Sequence, residues 1–303
     1  MTTNTKTLVI TGSSGFVGNR LADKANSLGF NVIGIDIKTD VKKSWESHEI
    51  NISEYDFSHL IPKDSVLIHL ASVSTDLACK SDPQLAINVN YVGTLNTIKC
   101  ANQAGAKHLI FASSEWVYPE RTEITDQSES DDLNLESLQS FYAITKLVGE
   151  SIVRTESHIP FTNLRFGIVY GPRESPGSSL EALVLKVYNN EHITVGSGLT
   201  ARRFIYIDDL VDGILNCAAL GTKEIPNKAV NLTGNKLISL NEIVVTANKM
   251  FSKESIISTD SKPPSIRNPL NVYAKSLFKW DPNTSLETGM EYCLAAMQKK
   301  RKE

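Results

Sequence analysis

The chain has 303 residues, 41% of them hydrophobic and 21% charged, which is the composition of a globular protein with a sizeable core. Its formal charge of −3 gives no electrostatic footprint for nucleic acid, and it contains no run of about 20 apolar residues that could span a membrane. We therefore expect no nucleic-acid or membrane partner, a cytoplasmic location because no secretory leader pattern is present, and no metal because the four cysteines lack paired spacing.

The first half of the chain alternates apolar runs with helical patterns. Strands rich in Val, Ile and Leu, each followed by a helix, predict an α/β fold with a doubly wound parallel sheet of the Rossmann type. The predicted strands are Thr7–Thr11, Asn31–Asp36, Ser65–Ala71, Lys107–Ser113 and Phe161–Ile168, and the predicted helices are Phe16–Leu28, Gln84–Ala104 and Phe141–Ser157.

The pattern becomes less regular after residue 170, where turns rich in Gly, Ser and Pro begin. We predict a dinucleotide-binding domain at residues 1–170 and a smaller C-terminal α/β domain for the substrate at residues 171–303. Segments near 203–232 are expected to return and pack on the first domain.

A glycine-rich turn follows the first strand directly. Gly12, Gly15 and Gly18 have the spacing G-x-x-G-x-x-G, and Phe16 and Val17 open the next helix. Glycines at such a turn let the backbone approach a pyrophosphate closely, and its negative charge then faces the N-terminus of the helix. The order strand, turn, helix therefore predicts a dinucleotide site.

An acidic residue ends the second strand. Asp36 lies 18 residues beyond Gly18, where a carboxylate can accept both ribose hydroxyls of an adenosine and would repel a 2′-phosphate. This favours NAD over NADP, although the nearby Lys38 could soften the discrimination.

Tyr142 and Lys146 are four residues apart in a predicted helix and therefore share one face. A free phenol titrates near pH 10, about three units too high for a base at neutral pH. A positive charge at ~4 Å in a site of intermediate dielectric contributes roughly 4 kcal/mol, which is of the order needed to close that gap. The pair is a candidate proton-transfer device.

Together these features resemble the extended short-chain dehydrogenase/reductase family, the NAD-dependent nucleotide-sugar epimerases and dehydratases. The resemblance runs from residue 7 to about residue 290. Further segments that agree with it in order and spacing are His69-Leu70-Ala71-Ser72, Asn90-Tyr91-Val92-Gly93-Thr94, the S-S-E-W-V-Y run at 113–118, the R-F-G-I-V-Y-G-P run at 165–172, Gly196-Ser197-Gly198 leading to Arg202, and the F-I-Y-I-D-D-L run at 204–210.

The resemblance implies roles for individual residues. Tyr142 would be the acid/base that acts on a sugar hydroxyl, Lys146 would hold the nicotinamide ribose and lower the pKa of the tyrosine, and Ser114 would hydrogen-bond the reacting oxygen. The residues implied to bind the cofactor are the glycine turn with Phe16 and Val17, then Asp36, Asn51, Ile52, Ala71, Ser72, Asn90, Tyr142 and Lys146.

For the substrate, the resemblance implies that Arg202 and Arg267 hold a diphosphate, and guanidinium groups suit phosphate oxygens. Ser114, Glu115 and Trp116 would line the sugar. An ordinary exposed arginine is the other interpretation of Arg267. Asn90 could orient the tyrosine or simply cap the following helix.

Two positions depart from the family pattern. Sugar 4,6-dehydratases generally carry Asp and then Glu after the catalytic Ser or Thr, whereas this chain has Glu115 and Trp116, so dehydration is not expected. Ile168 replaces an Asn that contacts the phosphates in the family, so the diphosphate contacts must differ.

Three function classes follow. The first is a nucleotide-sugar epimerase that acts at carbon 4 through a keto intermediate. The second is a nucleotide 4-keto-sugar reductase, which the bulk of Trp116 keeps open. The third is a non-catalytic NAD-binding protein, for which Ser114, Tyr142 and Lys146 would have no use together. In the resembling family the helices near 84–104 and 141–157 often pair across a two-fold axis, so we expect a homodimer.

Overall fold

A computed structural model describes residues 6–39, 43–220 and 228–300. The strands are β1 Thr7–Thr11, β2 Asn31–Asp36, β3 Glu46–Glu49, β4 Val66–His69, β5 His108–Ser114, β6 Phe161–Phe166, β7 Ile168–Tyr170, β8 Ile193–Val195, β9 Ala201–Arg202, β10 Phe204–Tyr206, β11 Lys228–Leu232, β12 Ile238–Ser239 and β13 Ile257–Thr259. The helices are α1 Phe16–Ser27, α2 Asp76–Ser81, α3 Pro83–Ile87, α4 Thr94–Ala104, α5 Phe141–Glu156, α6 Ser179–Tyr188, α7 Ile207–Ala219, α8 Leu240–Phe251, α9 Val272–Phe278 and α10 Leu286–Lys300.

The main sheet has seven parallel strands in the order β11-β6-β5-β4-β1-β2-β3. The order reverses between β1 and β4, and ligands of such sheets bind outside the carboxyl ends of the strands at this point. The predicted α/β fold with a Rossmann-type sheet is confirmed. The strand β11 comes from the second half of the chain and pairs with β6.

Two apolar clusters cover the two faces of the sheet. One includes Val9, Leu67 and Ile98 and lies under α4 and α5. The other includes Ile10 and Val211 and continues into the second half of the chain. Because the strands are buried on both faces, their sequences read as apolar runs, which is why they could be found from sequence.

The second half adds three short strand pairs, β7 with β10, β9 with β12 and β8 with β13. Helices α6, α8 and α10 pack against one another beside them. The division of the chain at residue 171 stays a prediction. Among the described residues, no helix is both long and apolar enough to cross a membrane.

Three of the differences between the structure and the sequence prediction concern whole elements or their continuity. The predicted helix 84–104 is interrupted by a π-helical turn at Asn88–Gly93. The predicted strand 161–168 is broken at Gly167, where a Cβ atom would lie 2.4 Å from the carbonyl oxygen of Arg203, so the chain needs glycine to let β10 approach. The edge strand β3 was not predicted because its sequence, E-S-H-E, is polar.

A buried ion pair joins α5 to the centre of the sheet. Arg165 on β6 donates from Nε and Nη2 to the two carboxylate oxygens of Glu150, at 2.9 and 2.8 Å. Ser113 donates to Glu150 at 2.5 Å, and Arg165 Nη1 donates to the hydroxyl of Tyr118 at 2.9 Å. Both side chains of the pair are more than 90% buried, so removing one partner would leave an uncompensated charge in the core.

We expect Glu150→Ala to lower the free energy of unfolding by about 3–5 kcal/mol, since Arg165 would lose its counter-ion inside the protein. Urea unfolding of the wild-type and variant proteins measures this difference. The matched control is Glu156→Ala, an exposed carboxylate at the end of the same helix, which should change stability by no more than about 0.5 kcal/mol. Equal effects of the two substitutions would contradict the role given to the pair.

Candidate active site

The glycines of the turn allow it to pack closely against the neighbouring backbone. Gly12 has φ +74°, and a Cβ atom there would lie 2.7 Å from the backbone nitrogen of Ala71. A Cβ atom on Gly18 would lie 2.0 Å from the oxygen of Gly12, so the first turn of α1 packs directly on the turn before it. Phe16 and Val17 open that helix and are partly buried. This arrangement fits the pyrophosphate of a dinucleotide.

Asp36 lies at the end of β2, beside the glycine turn. Its carboxylate accepts from the backbone nitrogen of Ser14 at 2.9 Å and from that of Lys38 at 3.3 Å. The carboxylate is thereby held beside the glycine turn and is still partly exposed. This position suits recognition of ribose hydroxyls.

Asn51 and Ile52 follow β3 after one intervening residue, Ile50, whose backbone nitrogen donates to the carbonyl of Asp36 at 2.7 Å. Asn51 accepts from the backbone nitrogen of Ser53 at 3.0 Å and donates to Glu54 at 2.8 Å. Ile52 is buried. The polar edge of Asn51 and the apolar surface of Ile52 are compatible with a base, and their contact with the cofactor stays a prediction.

Asn90 connects the loop after β4 to α5. Its amide accepts from the backbone nitrogen of Val73 at 2.7 Å and donates to the carbonyl of Val73 and to the hydroxyl of Thr145, both at 3.0 Å. These bonds fit the orienting role rather than the capping role. Because Thr145 precedes Lys146, the amide fixes the loop that carries Ala71 and Ser72 relative to the helix of the candidate catalytic residues.

The structure brings Ser114, Tyr142 and Lys146 together. Ser114 ends β5, and a hydrogen bond with its side chain favours the ionised form of Tyr142. The ammonium of Lys146 donates to the carbonyl of Ala112 at 2.8 Å and lies 5.8 Å from the centre of the Tyr142 ring. The three side chains therefore meet at the carboxyl end of the central strand.

The pKa values of this group differ from the expectation in one respect. The implied lowering of the Tyr142 pKa is not present in this structure, because burial raises it to about 12 and outweighs the hydrogen bond from Ser114. Burial also lowers the pKa of Lys146 to about 8. The lysine nitrogen is held by a backbone carbonyl on β5 rather than by the phenol, which explains the weak effect on the tyrosine.

Glu115 and Trp116 lie in the same turn, directly after β5. Glu115 is fully buried, and the nearest cation is Nε of Arg202, at 3.3 Å. Burial raises the pKa of its carboxyl to about 7, against the opposing charges of Arg202 and Arg267. Trp116 packs edge-on against Tyr142 with ring centres 6.0 Å apart, and the guanidinium of Arg267 lies 4.8 Å from its ring.

A cavity of about 230 Å³ opens beside these residues. Arg267 is buried and lines it, so the interpretation of this residue as an ordinary exposed arginine is wrong. Arg202 reaches the same place from β9 and contacts Glu120 together with Arg267. The lining residues are Asp76, Trp116, Tyr118, Glu120, Ser137, Leu138, Gln139, Ser140, Ala143 and Arg267.

Two acidic residues of this cavity were missed from the sequence. Asp76 accepts from the hydroxyl of Ser140 at 2.7 Å and so ties α2 to the start of α5. Glu120 pairs with both arginines. Glu120 could have been found from the sequence, because it is a charged residue only two positions after Tyr118, which ends the S-S-E-W-V-Y run. Asp76 gave no such signal, because its partner Ser140 is 64 residues away.

Comparison with known proteins identifies the family of the chain. A sequence model of the NAD dependent epimerase/dehydratase family matches residues 8–232. Protein CapI of Staphylococcus aureus is 29% identical over 273 residues, which are 78% of this chain and 81% of that protein. UDP-glucuronate 4-epimerase of Thermodesulfobacterium geofontis is 27% identical over 319 residues, with 93% of each chain covered.

Among solved structures, UDP-glucuronic acid 4-epimerase of Bacillus cereus in complex with UDP-glucuronic acid and NAD superposes with a TM-score of 0.83. It is 24% identical, and the match covers 97% of this chain and 99% of that chain, which shows a common fold. The chain belongs to the NAD dependent epimerase/dehydratase family, and its cofactor is NAD.

Proposed function

We propose that the protein is a nucleotide-sugar epimerase that acts at carbon 4 through a keto intermediate. The observation that carries the proposal is the meeting of Ser114, Tyr142 and Lys146 at the end of β5, beside a cavity with a buried arginine. Two hydroxyl groups and one ammonium at a single point suit the removal and return of a proton on a sugar oxygen.

Tyr142 takes the proton from the sugar hydroxyl, and Ser114 holds the same oxygen by a hydrogen bond. When bound, NAD supplies the hydride acceptor and later the hydride donor. The positive charge of Lys146, 5.8 Å from the tyrosine ring centre, favours the phenolate, although in this structure burial has the larger effect on the pKa of Tyr142.

At the substrate end, the buried Arg267 and the neighbouring Arg202 suit the diphosphate of a nucleotide sugar. Relatives named as UDP-glucuronate 4-epimerases support uridine as the base. We assign the cofactor contacts to the glycine turn with Phe16 and Val17, and to Asp36, Asn51, Ile52, Ala71, Ser72 and Asn90. Trp116 and Glu115 would line the part of the site that holds the sugar of the substrate.

A nucleotide 4-keto-sugar reductase is the second candidate. Trp116 is held between Tyr142 and Arg267, so the indole occupies space in which an epimerase must turn its keto-sugar. A site that holds the keto-sugar with one face towards the nicotinamide favours reduction to a single stereoisomer.

We expect Tyr142→Phe to keep the fold and NAD binding but to lose about 10²–10⁴-fold in turnover, since it lacks the proton-transfer oxygen. The assay follows conversion of UDP-glucose and UDP-glucuronate by chromatography and nicotinamide absorbance in parallel. The control is Tyr55→Phe, an exposed tyrosine, which should retain full turnover.

The same assay separates the candidate functions. An epimerase interconverts two nucleotide sugars with no net change in nicotinamide absorbance, whereas a reductase consumes reduced cofactor and requires a keto-sugar. Reduction to one stereoisomer by the wild type, with mixed stereoisomers from Trp116→Ala, would show that the epimerase proposal is wrong. A protein that binds NAD but shows neither reaction, and is indifferent to Tyr142→Phe, would be the non-catalytic alternative.

We also propose that Asp36 gives the protein its preference for NAD over NADP. In the wild type the carboxylate should repel a 2′-phosphate, so NADP should bind at least about tenfold more weakly. Asp36→Ala should narrow this difference, and fluorescence titration of both cofactors measures it. Glu49→Ala, an exposed carboxylate at the end of the neighbouring strand β3, is the control. An unchanged preference in Asp36→Ala would assign the discrimination to other residues.

A cytoplasmic homodimer is the proposed state of the protein. The helical stretch 83–104 exposes the apolar side chains of Leu85, Ile87, Tyr91 and Val92, each more than 40% accessible. It packs against α5, so the two helical stretches present one surface. An exposed apolar surface of this kind supports the proposal that a second subunit covers it.

Light scattering at micromolar concentration should therefore give about twice the chain mass of 33.4 kDa. Tyr91→Glu places a charge on the apolar surface and should shift the protein to the monomer. The control is Leu199→Glu, which alters an exposed leucine in the second half of the chain and should leave the mass unchanged. A wild-type protein of 33.4 kDa would refute the dimer.

A further inference from the structure

The two arginines at the cavity are fixed in place before any ligand arrives. Arg202 donates from Nη1 to the carbonyls of Ala201 and Ser265, at 2.8 and 2.5 Å, and Arg267 donates from Nε to the carbonyl of Tyr118 at 3.0 Å. Their side chains are 11% and 5% exposed. Most of the conformational entropy cost of ordering two long side chains is therefore already met by the fold.

Two carboxylates neutralise this pair, and they differ in accessibility. Glu115 approaches Arg202 from the protein interior and is fully buried. Glu120 approaches from the cavity side, and its Oε1 lies 3.0 Å from Nη2 of Arg267 and 3.3 Å from Nη2 of Arg202. The side chain of Glu120 is 48% exposed, so of these two counter-ions it is the one that can move into solvent.

Glu120 Oε1 is shared between two guanidinium groups. An oxygen of an anionic ligand would make the same contacts. In addition, Nη1 of Arg267 is buried and makes no hydrogen bond with any of the described residues, so the donors of this guanidinium are not all satisfied by those residues. A carboxylate of the chain thus stands where the negative charge of a substrate would bind.

We propose that Glu120 is a specificity-determining residue, an internal anion that a substrate diphosphate must displace from Arg202 and Arg267. The inference rests on the proposed function for the identity of the ligand. A ligand with one negative charge exchanges one anion for another and gains little, whereas a diphosphate brings two charges and more oxygens to the same donors. Glu120 therefore makes the arginine pair bind doubly charged ligands in preference to singly charged ligands.

The test is calorimetric titration of the NAD-loaded protein with three probes. These are UDP-glucose and inorganic diphosphate, which carry at least two negative charges, and the methyl ester of uridine monophosphate, which carries one. Glu120→Gln keeps the shape of the side chain and removes its charge, so the two doubly charged probes should bind more tightly than to the wild type, and the singly charged probe should gain more, about tenfold, because in the wild type it cannot displace Glu120. Glu123→Gln, an exposed carboxylate of the same loop, should leave all three affinities unchanged.

A second variant and a second measurement guard against a folding defect. Glu120→Asp shortens the side chain by one methylene and should give affinities between those of the wild type and Glu120→Gln. In thermal unfolding, inorganic diphosphate should raise the Tm of Glu120→Gln more than that of the wild type, because tighter binding to the native state stabilises it more.

Unchanged or weaker binding of the doubly charged probes to Glu120→Gln would overturn the proposal, as would a singly charged probe that binds both proteins equally. If the wild type does not bind UDP-glucose but Glu120→Gln still tightens inorganic diphosphate, the nucleotide-sugar function fails and the role of Glu120 stands. If neither protein binds any probe, Arg202 and Arg267 do not form an anion-binding site and the inference fails.

Discussion

The buried pair of Glu150 and Arg165 is the interaction on which the arrangement of the site depends. It joins the long helix α5 to β6, and through Ser113 it also reaches β5. Ser113 is adjacent to Ser114, and Glu150 follows Lys146 by about one helical turn. The pair therefore sets both the depth and the rotation of α5 relative to the strand end, and with them the distances among the candidate catalytic groups.

Charge is distributed over the site in two layers. The layer around Ser114 and Tyr142 contains the ammonium of Lys146, whose pKa burial lowers to about 8. The layer around the cavity alternates two arginines with two carboxylates, contributed by the turn after β5, by β9 and by the loop near residue 267. Since Arg202 and Arg267 come from the second half of the chain and Ser114 from the first, neither half holds the complete site.

The sequence predicted those parts of the molecule that follow from local pattern. Strands β1 and β2 have the predicted bounds because their residues are buried on both faces and end at a glycine turn or an aspartate. The start of α5 was found from periodicity, which also placed Tyr142 and Lys146 on one face. Arg202 and Arg267 came from the resemblance alone, and the structure brings them together although 65 residues separate them.

What the sequence did not predict depends on contacts between distant segments. The π-helical turn at 88–93 interrupts an otherwise regular helix, and within it Asn90 bonds to Val73 and Thr145. The carbonyl of Ala112 holds Lys146, and no periodicity shows which backbone oxygen a lysine will reach. Burial decides the pKa of Tyr142 and the charge balance around Glu120, and burial is a property of the assembled fold.

The spacing of residues along α5 limits how this protein can change in evolution. Tyr142, Lys146 and Glu150 succeed one another at intervals of four, so proton transfer and anchoring of the helix use one continuous face. Gly149 lies beside this face, where a Cβ atom would be 2.6 Å from the ring of Phe111. Inserting or deleting one residue within the helix turns everything beyond it by about 100°. The outer face of α5 can therefore accept many substitutions, whereas the length of the helix between residues 142 and 150 is not free to vary.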